Sequence, residues 1–193
     1  MCRLFALTSK EPVSPMMAIK ALDVMKEGHD GSGMGLLLQG LGGPFEEMKE
    51  APILSGIFSE AGIRRLDLFM MDQGFLTKYK ISLKISKKPV EGIPRRGLYL
   101  IRAYELPEGW DTLEQEEISR RLMMIRLKIR EMGEEKKDMI VFSFWPDTIM
   151  IKEIGDPMQL AGYLGLDRKE LKARVIMAQG RQNTNYAINL YAR

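Results

Sequence analysis

The stretch Met1-Cys2-Arg3-Leu4-Phe5-Ala6-Leu7-Thr8 sets the single cysteine of the chain directly before an apolar segment. Residues 3–8 are largely apolar and compatible with extended backbone, which predicts a short buried strand. Once Met1 is removed, Cys2 carries an α-amine and a thiol on one residue, with reference pKa values near ~7.7–8.0 and ~8.5. Such an amine can activate an adjacent nucleophile. Cys2 is therefore a candidate nucleophile, and the alternative is a small apolar filler of the core.

Length and composition favour one soluble domain. The chain has 193 residues, with 29 basic and 26 acidic side chains and a formal net charge of +3. A charge this balanced argues against nucleic acid as a partner. One cysteine excludes a disulfide framework, and one cysteine with one histidine cannot form a structural zinc site. Because no apolar run approaches the ~18 residues of a membrane span and no signal peptide is recognisable, we expect a cytoplasmic protein without a membrane partner.

Strand and helix patterns follow one another irregularly along the chain. Strands are predicted at 139–145 and 148–154, where the intervening Pro146-Asp147 indicates a hairpin. A further apolar strand is predicted at 174–179. This irregular order favours an α+β fold with largely antiparallel sheets over a doubly wound parallel fold.

Two helices have clear sequence signals. Ser59 is a candidate N-cap for a helix that runs to Met71. A longer helix follows the capping-box pattern of Asp111 and Glu114, and we expect it to end at Gly133. Its apolar residues recur at spacings of 4, 3, 4 and 3 and predict one buried stripe, formed by Ile118, Leu122, Ile125, Ile129 and Met132.

A glycine-rich turn precedes a predicted strand. It reads Gly28-His29-Asp30-Gly31-Ser32-Gly33-Met34-Gly35. Glycine is needed where the backbone adopts positive φ or passes close to another group. No Lys-Ser or Lys-Thr follows the glycines, and a strand rather than a helix comes next, so neither a P-loop nor a dinucleotide-binding motif fits. His29 is an alternative general base for Cys2, although its place in a turn is also typical of a surface residue.

A polar cluster follows the last predicted strand. It reads Gly180-Arg181-Gln182-Asn183-Thr184-Asn185. A guanidinium matches a carboxylate bidentately, and the neutral side chains beside it supply donors and acceptors for an amide. An amino-acid substrate requires this mixture. The alternative is a turn in which the Asn and Thr side chains bond their own backbone.

Together, the three segments resemble the class II glutamine amidotransferases, which belong to the N-terminal-nucleophile (Ntn) hydrolases. The opening Met1-Cys2-Arg3-Leu4-Phe5 is similar to the start of that family. Residues 27–34 are similar to its Arg-Gly-x-Asp-x-x-Gly-apolar segment, with Glu27 in place of the usual Arg. Residues 180–185 are similar to its Thr-Arg-x-x-Thr-Asn type motif. The long segment between the last two clusters is most similar to the amidotransferase part of glutamate synthases.

The resemblance implies a fold and a set of site residues. The fold would be an αββα Ntn-hydrolase sandwich of stacked antiparallel sheets, with 1–193 as a single domain and a long excursion at about 45–170. Cys2 would attack the side-chain amide of glutamine, and Arg181 would bind the substrate α-carboxylate. Thr184 and Asn185 would also contact the substrate. The residues that would shape the structure near the site are Gly28, Asp30 and Gly33.

The resemblance also implies an activity and its partners. Glutamine would be hydrolysed to glutamate and ammonia through a thioester on Cys2, for glutamate synthesis. A synthase partner subunit would accept the ammonia. This chain would hold no cofactor and no metal, and FMN or an iron–sulfur cluster would belong to the partner.

One departure from the family pattern bears on activity. The family's oxyanion-hole Asn-Gly follows the Arg motif, and none follows Asn185 in this sequence. We therefore expect the N-terminal portion of such a domain, without its closing C-terminal strands. A truncated, inactive scaffold or regulatory module of the same fold is one alternative. A hydrolase that uses Cys2 with His29 on another amide is a second.

Overall fold

The computed structural model describes residues 3–25, 33–83, 93 and 97–180. Within these ranges the fold is α+β, with strands that pair antiparallel, as the irregular order of elements predicts. The elements are β1 (Arg3–Val13), α1 (Met16–Val24), β2 (Met34–Leu41), β3 (Pro52–Phe58), α2 (Glu60–Asp72), β4 (Leu76–Ser82), β5 (Leu98–Glu105), α3 (Gln115–Lys136), β6 (Met139–Pro146), β7 (Thr148–Glu153), α4 (Pro157–Leu164) and β8 (Ala173–Gly180).

The chain divides into two compact units. The first comprises Met1–Lys49, Leu83–Arg95 and Met150–Arg193, and the second comprises Glu50–Ser82 and Arg96–Ile149. The second unit therefore falls within the segment of about 45–170 in which an excursion is expected. Whether the two units form one domain stays a prediction.

The first unit is built on a sheet with the strand order β1-β8-β2-β7. β8 pairs antiparallel with β1 on one side and with β2 on the other. Its central position follows from its side chains, since Ile176 and Ala178 are fully buried. Helix α1 contacts β1, β8 and α4 and buries Ile19 and Leu22. The strands predicted at 3–8 and 174–179 exist, and β1 runs further than predicted, to Val13. The prediction that residues 3–8 are buried is wrong, because β1 stands at the end of the strand order and its residues are partly or fully exposed, with Leu4 62% exposed.

The second unit is built on a sheet with the strand order β4-β5-β3-β6. The elements follow one another as β3-α2-β4-β5-α3-β6, which is the split βαβ arrangement. A single apolar core joins both helices to one face of the sheet. Its members include Leu54, Phe58, Leu66, Met70, Phe75, Tyr104, Leu122, Ile129 and Phe144. Phe75 lies edge-on to the rings of Tyr104, Trp110 and Phe144, a geometry that aromatic pairs prefer.

The helix predictions for the second unit are partly right. Ser59 is the N-cap of α2, and its hydroxyl accepts a hydrogen bond from the backbone N–H of Gly62 at 3.0 Å. The apolar stripe of α3 is confirmed, because its first four residues are buried and Met132 packs against the same core. The capping box is wrong: Glu114 is the N-cap without a side-chain hydrogen bond, and Asp111 lies in a short 3₁₀ turn.

Gly133 does not end α3, which continues to Lys136. A Cβ at Gly133 would lie 2.2 Å from the backbone oxygen of Met139, where β6 begins. Glycine therefore serves close packing of a helix on a strand here, and it does not act as a helix terminator. Lys137 adopts the left-handed conformation that closes the helix instead.

The predicted hairpin around Pro146-Asp147 is wrong. Both strands exist, but β6 pairs with β3 in the second unit and β7 neighbours β2 in the first. Asp147, with a φ of 49°, is the only residue between them. The signal for a tight turn is real, and the chain uses it to pass from one sheet to the other. Local turn chemistry does not specify which strands pair, since side-chain packing on each sheet decides that.

No helix in the described ranges is both long and apolar enough to cross a membrane.

Candidate functional site

Three chain segments meet at one end of the first unit's sheet. The register pairs Arg3 of β1 with Gly180 of β8, and it pairs Met34 of β2 with the same Gly180. Both neighbours run antiparallel to β8, so their first residues flank its last residue. The start of β1, the end of β8 and the start of β2 therefore form one row across three adjacent strands.

Each of these row positions borders a predicted site segment. Arg3 directly follows Cys2 in the chain, and Gly180 directly precedes Arg181. Most of the predicted site residues lie outside the described residues, so their contacts stay predictions. These are Cys2, Gly28, Asp30, Arg181, Thr184 and Asn185, together with the alternative base His29. The structure brings together the strand ends that carry the segments.

Gly33 is the predicted site residue that the structure does describe, and its glycine requirement is confirmed. Its φ is +146°, and a Cβ there would lie 2.9 Å from the carbonyl oxygen of Glu153. Any other residue would combine an unfavourable backbone conformation with a collision against the end of β7. Gly35 differs, because no atom of the described residues beyond its two chain neighbours lies within 4 Å of a Cβ built on it. Only one of these two glycines is therefore required by its surroundings.

Glu153 is a buried carboxylate at this end of the sheet that the sequence predictions missed. It is only 2% exposed, and its Oε1 accepts a hydrogen bond from the backbone N–H of Ile154 at 2.7 Å. The alternation of residues along β7 indicates this burial in the sequence. Ile149, Ile151 and Glu153 are two positions apart, and all three are buried on the same face of the strand. A carboxylate in a position suited to an apolar residue is costly unless hydrogen bonds or charges compensate it.

The opposite end of β8 carries an exposed ion pair. Arg174 Nη2 donates to Glu46 Oε1 at 2.7 Å, and its Nε donates to the backbone oxygen of Lys10 at 3.2 Å. The hydrogen bond from Arg174 lowers the pKa of the Glu46 carboxyl below its usual value. Water screens this pair, so its effect on stability is small. Arg174 lies six residues before Gly180 and provides a matched arginine remote from the candidate site.

No metal site is present in the part of the chain that the structure describes. None of its groups of His, Cys, Asp and Glu brings three potential ligands together. Glu153 lies at the candidate site, but a single carboxylate does not hold a divalent ion in a protein site.

The comparisons with known proteins add no family assignment. No protein-family model matches the sequence, and no curated protein matches it.

Proposed function

We propose that this chain is a glutamine amidotransferase domain of the Ntn-hydrolase type, in which Cys2 is the nucleophile. The observation that carries the proposal is the register that pairs Arg3 and Met34 with Gly180. Strands that are hydrogen-bonded in one sheet are rigid, and a rigid base is required to hold a nucleophile and a cation in constant geometry. The α+β fold with two four-stranded sheets supports this identity, and the αββα sandwich is part of the proposal.

The reaction proceeds in two steps. The Cys2 sulfur attacks the side-chain amide carbon of glutamine, while its thiol proton passes to the α-amine of the same residue. That proton then moves to the leaving nitrogen, ammonia departs and a γ-glutamyl thioester remains. Water attacks the thioester carbon and releases glutamate, and the sulfur recovers a proton. Ammonia passes to a synthase partner subunit that forms glutamate.

The remaining residues bind and orient the substrate. Arg181 binds the α-carboxylate through two parallel N–H donors. Thr184 and Asn185 contact the amino-acid end of glutamine. Gly28, Asp30 and Gly33 shape the backbone beside them.

The experiment is covalent labelling followed by mass spectrometry. The intact chain is treated with 6-diazo-5-oxo-L-norleucine, an electrophilic glutamine analogue, and the modified peptide is sequenced. We expect one adduct, on Cys2, in chains that have lost Met1. Arg181→Lys should slow labelling strongly, because a lysine cannot bind a carboxylate bidentately. Arg174→Lys is the matched control and should label at the original rate, since it lies at the far end of β8.

Two results would refute the catalytic proposal. One is an unlabelled Cys2 in chains that have lost Met1, and the other is Met1 retained on all chains. Equal slowing by Arg181→Lys and Arg174→Lys would refute the assigned role of Arg181. His29→Ala distinguishes this proposal from a hydrolase in which His29 is the general base for Cys2. The present proposal predicts an unchanged labelling rate, whereas the alternative predicts slower labelling.

A non-catalytic scaffold or regulatory module is the second candidate, and the uncovered face of the β1–β8 pair favours it. Leu4 is 62% exposed and Met177 is 37% exposed. The register pairs Leu4 with Gln179 and Ala6 with Met177, so these side chains share one face. Apolar groups on an exposed face at a sheet edge favour association with another chain. Light scattering distinguishes the candidates, since a monomer that hydrolyses glutamine would eliminate the scaffold.

A further inference from the structure

The second unit contains a cavity with one apolar and one polar side. It has a volume of about 270 Å³ and lies among residues of α2, β4 and β5. Met70, Phe75 and Leu76 form the apolar side. The polar side is formed by Asp67, Thr77, Lys80, Arg102 and Tyr104. This combination of a hydrocarbon wall with a few convergent polar groups is typical of a small-molecule site.

Arg102 is the central polar residue of the cavity, and it is only 6% exposed. Its Nη1 donates to the Asp67 carboxylate and also to the Tyr104 hydroxyl, at 3.3 Å. Its Nε is buried and has no hydrogen-bond partner among the described residues. A buried N–H without an acceptor is costly, and a ligand oxygen that accepted from it would remove that cost.

The guanidinium keeps its charge in this environment. Burial lowers the pKa of Arg102, but the neighbouring Tyr104 and Asp67 outweigh burial and raise that pKa above its usual value. Burial also raises the pKa of Tyr104 to about 12. The Tyr104 hydroxyl therefore keeps its proton at neutral pH and can donate it. No acceptor for that proton is found in the described ranges.

The edge strand β4 adds a second cation on the same face. Its register pairs Lys80 with Arg102, Thr77 with Tyr104 and Ser82 with Leu100. Those β5 residues point toward the helices, since Leu100 and Tyr104 belong to the core beneath α2 and α3. Thr77, Lys80 and Ser82 of β4 are exposed polar residues. Two cations, Lys80 and Arg102, and one carboxylate, that of Asp67, line the cavity.

We propose that this cavity binds a small monocarboxylate with a short hydrocarbon body. The carboxylate accepts hydrogen bonds from Arg102 Nε and the Tyr104 hydroxyl, and Lys80 supplies the balancing charge. The hydrocarbon part contacts Phe75 and Leu76. The apolar wall favours this ligand over inorganic phosphate. Asp67, whose side chain is 51% exposed, is the resident counter-ion of Arg102 and competes with the ligand.

The test uses butanoate as the probe and butanamide as its neutral control. The full chain is titrated with each compound by calorimetry, and the Nε–H resonance of Arg102 is followed by NMR. We expect saturable binding of butanoate, with a shift of that resonance, and no binding of butanamide. Inorganic phosphate should bind more weakly than butanoate.

Two variants should change the affinity in opposite directions. Lys80→Gln removes an exposed favourable charge and should weaken butanoate binding about two- to fivefold. Asp67→Asn removes the competing carboxylate and should strengthen binding by a similar factor. Lys78→Gln is the matched control, because Lys78 is an exposed lysine of the same strand that does not line the cavity. Arg102→Met should abolish binding, and circular dichroism establishes whether that variant is folded.

Several outcomes would overturn the proposal. These are the absence of saturable butanoate binding, equal binding of butanamide, and tighter binding of phosphate. A weaker affinity in Asp67→Asn would also overturn it, as would equal effects of Lys80→Gln and Lys78→Gln. If Arg102→Met unfolds, the opposite signs expected for Lys80→Gln and Asp67→Asn still decide the outcome. None of these measurements depends on Cys2, so a failure here is distinguishable from a failure of the amidotransferase proposal.

Discussion

Replacing Gly133 by alanine tests the packing of α3 on β6. Helix propensity alone predicts that Gly133→Ala stabilises the protein by up to about 1 kcal/mol, because glycine is a poor residue for a helix interior. The structure reverses this sign. A Cβ at Gly133 would lie 2.2 Å from the backbone oxygen of Met139 and 2.8 Å from its Cγ. The methionine side chain can move, but the strand backbone at this position is fixed by pairing with β3.

The magnitude follows from the distance. Ordinary contact with a Cβ begins near 3.4 Å, so α3 or β6 must shift by roughly an ångström to admit the methyl group. Overpacking of this kind costs typically about 1–3 kcal/mol, and a clash with backbone belongs at the upper end. After subtraction of the propensity gain, we expect Gly133→Ala to lower the free energy of unfolding by about 2 kcal/mol.

Gly162 in α4 is the matched control. It also lies inside a helix, but among the described residues no atom outside its own helix backbone lies within 4 Å of a Cβ built there. Gly162→Ala should therefore raise the free energy of unfolding by up to about 1 kcal/mol.

Urea unfolding followed by circular dichroism measures both changes. The fluorescence of Trp110 and Trp145 reports the second unit alone, because both tryptophans lie within it. A Gly133→Ala protein that is as stable as the parent, or more stable, would show that α3 does not approach β6 as closely as described.

Three further predictions concern the core, a helix cap and a buried tyrosine. Ile129→Ala should cost about 2–5 kcal/mol in urea unfolding, because Ile129 is fully buried, whereas Met124→Ala, at a 62% exposed position of the same helix, should change stability by no more than about 0.5 kcal/mol. Asp156→Ala should cost about 0.5–2 kcal/mol, because its carboxylate accepts hydrogen bonds from two backbone N–H groups of α4 at 3.0 and 3.1 Å, and Asp156→Ser should recover most of the loss. Tyr104, whose pKa burial raises to about 12 from 10.0, should ionise after ordinary tyrosines in an ultraviolet pH titration. The stability due to its neutral form should be complete below pH 10 and lost as the pH rises toward 12, and a Tyr104→Phe protein that keeps this loss would contradict the assignment.

Two predictions that depend on local interactions are confirmed, whereas the equally local capping box of Asp111 and Glu114 did not form. The Ser59 cap and the α3 stripe depend on residues a few positions apart, and both are confirmed. The Gly133 prediction failed because that glycine faces Met139 on a strand, and helix periodicity contains no information about a neighbouring strand. The Pro146-Asp147 prediction failed for a related reason, since a turn signal does not identify strand partners.

For the candidate site, too, the sequence indicated some features and only the tertiary structure showed others. The amino-acid order was sufficient to single out Cys2, the glycine-rich turn and the polar cluster after β8, because each combines residue types with a distinct chemistry. It did not show that Arg3, Gly180 and Met34 lie in one row, nor that Glu153 is buried beside them. Those facts depend on the hydrogen-bond register between strands far apart in the chain. Register is set by which side chains the whole sheet can bury together, and a local pattern contains no record of that choice.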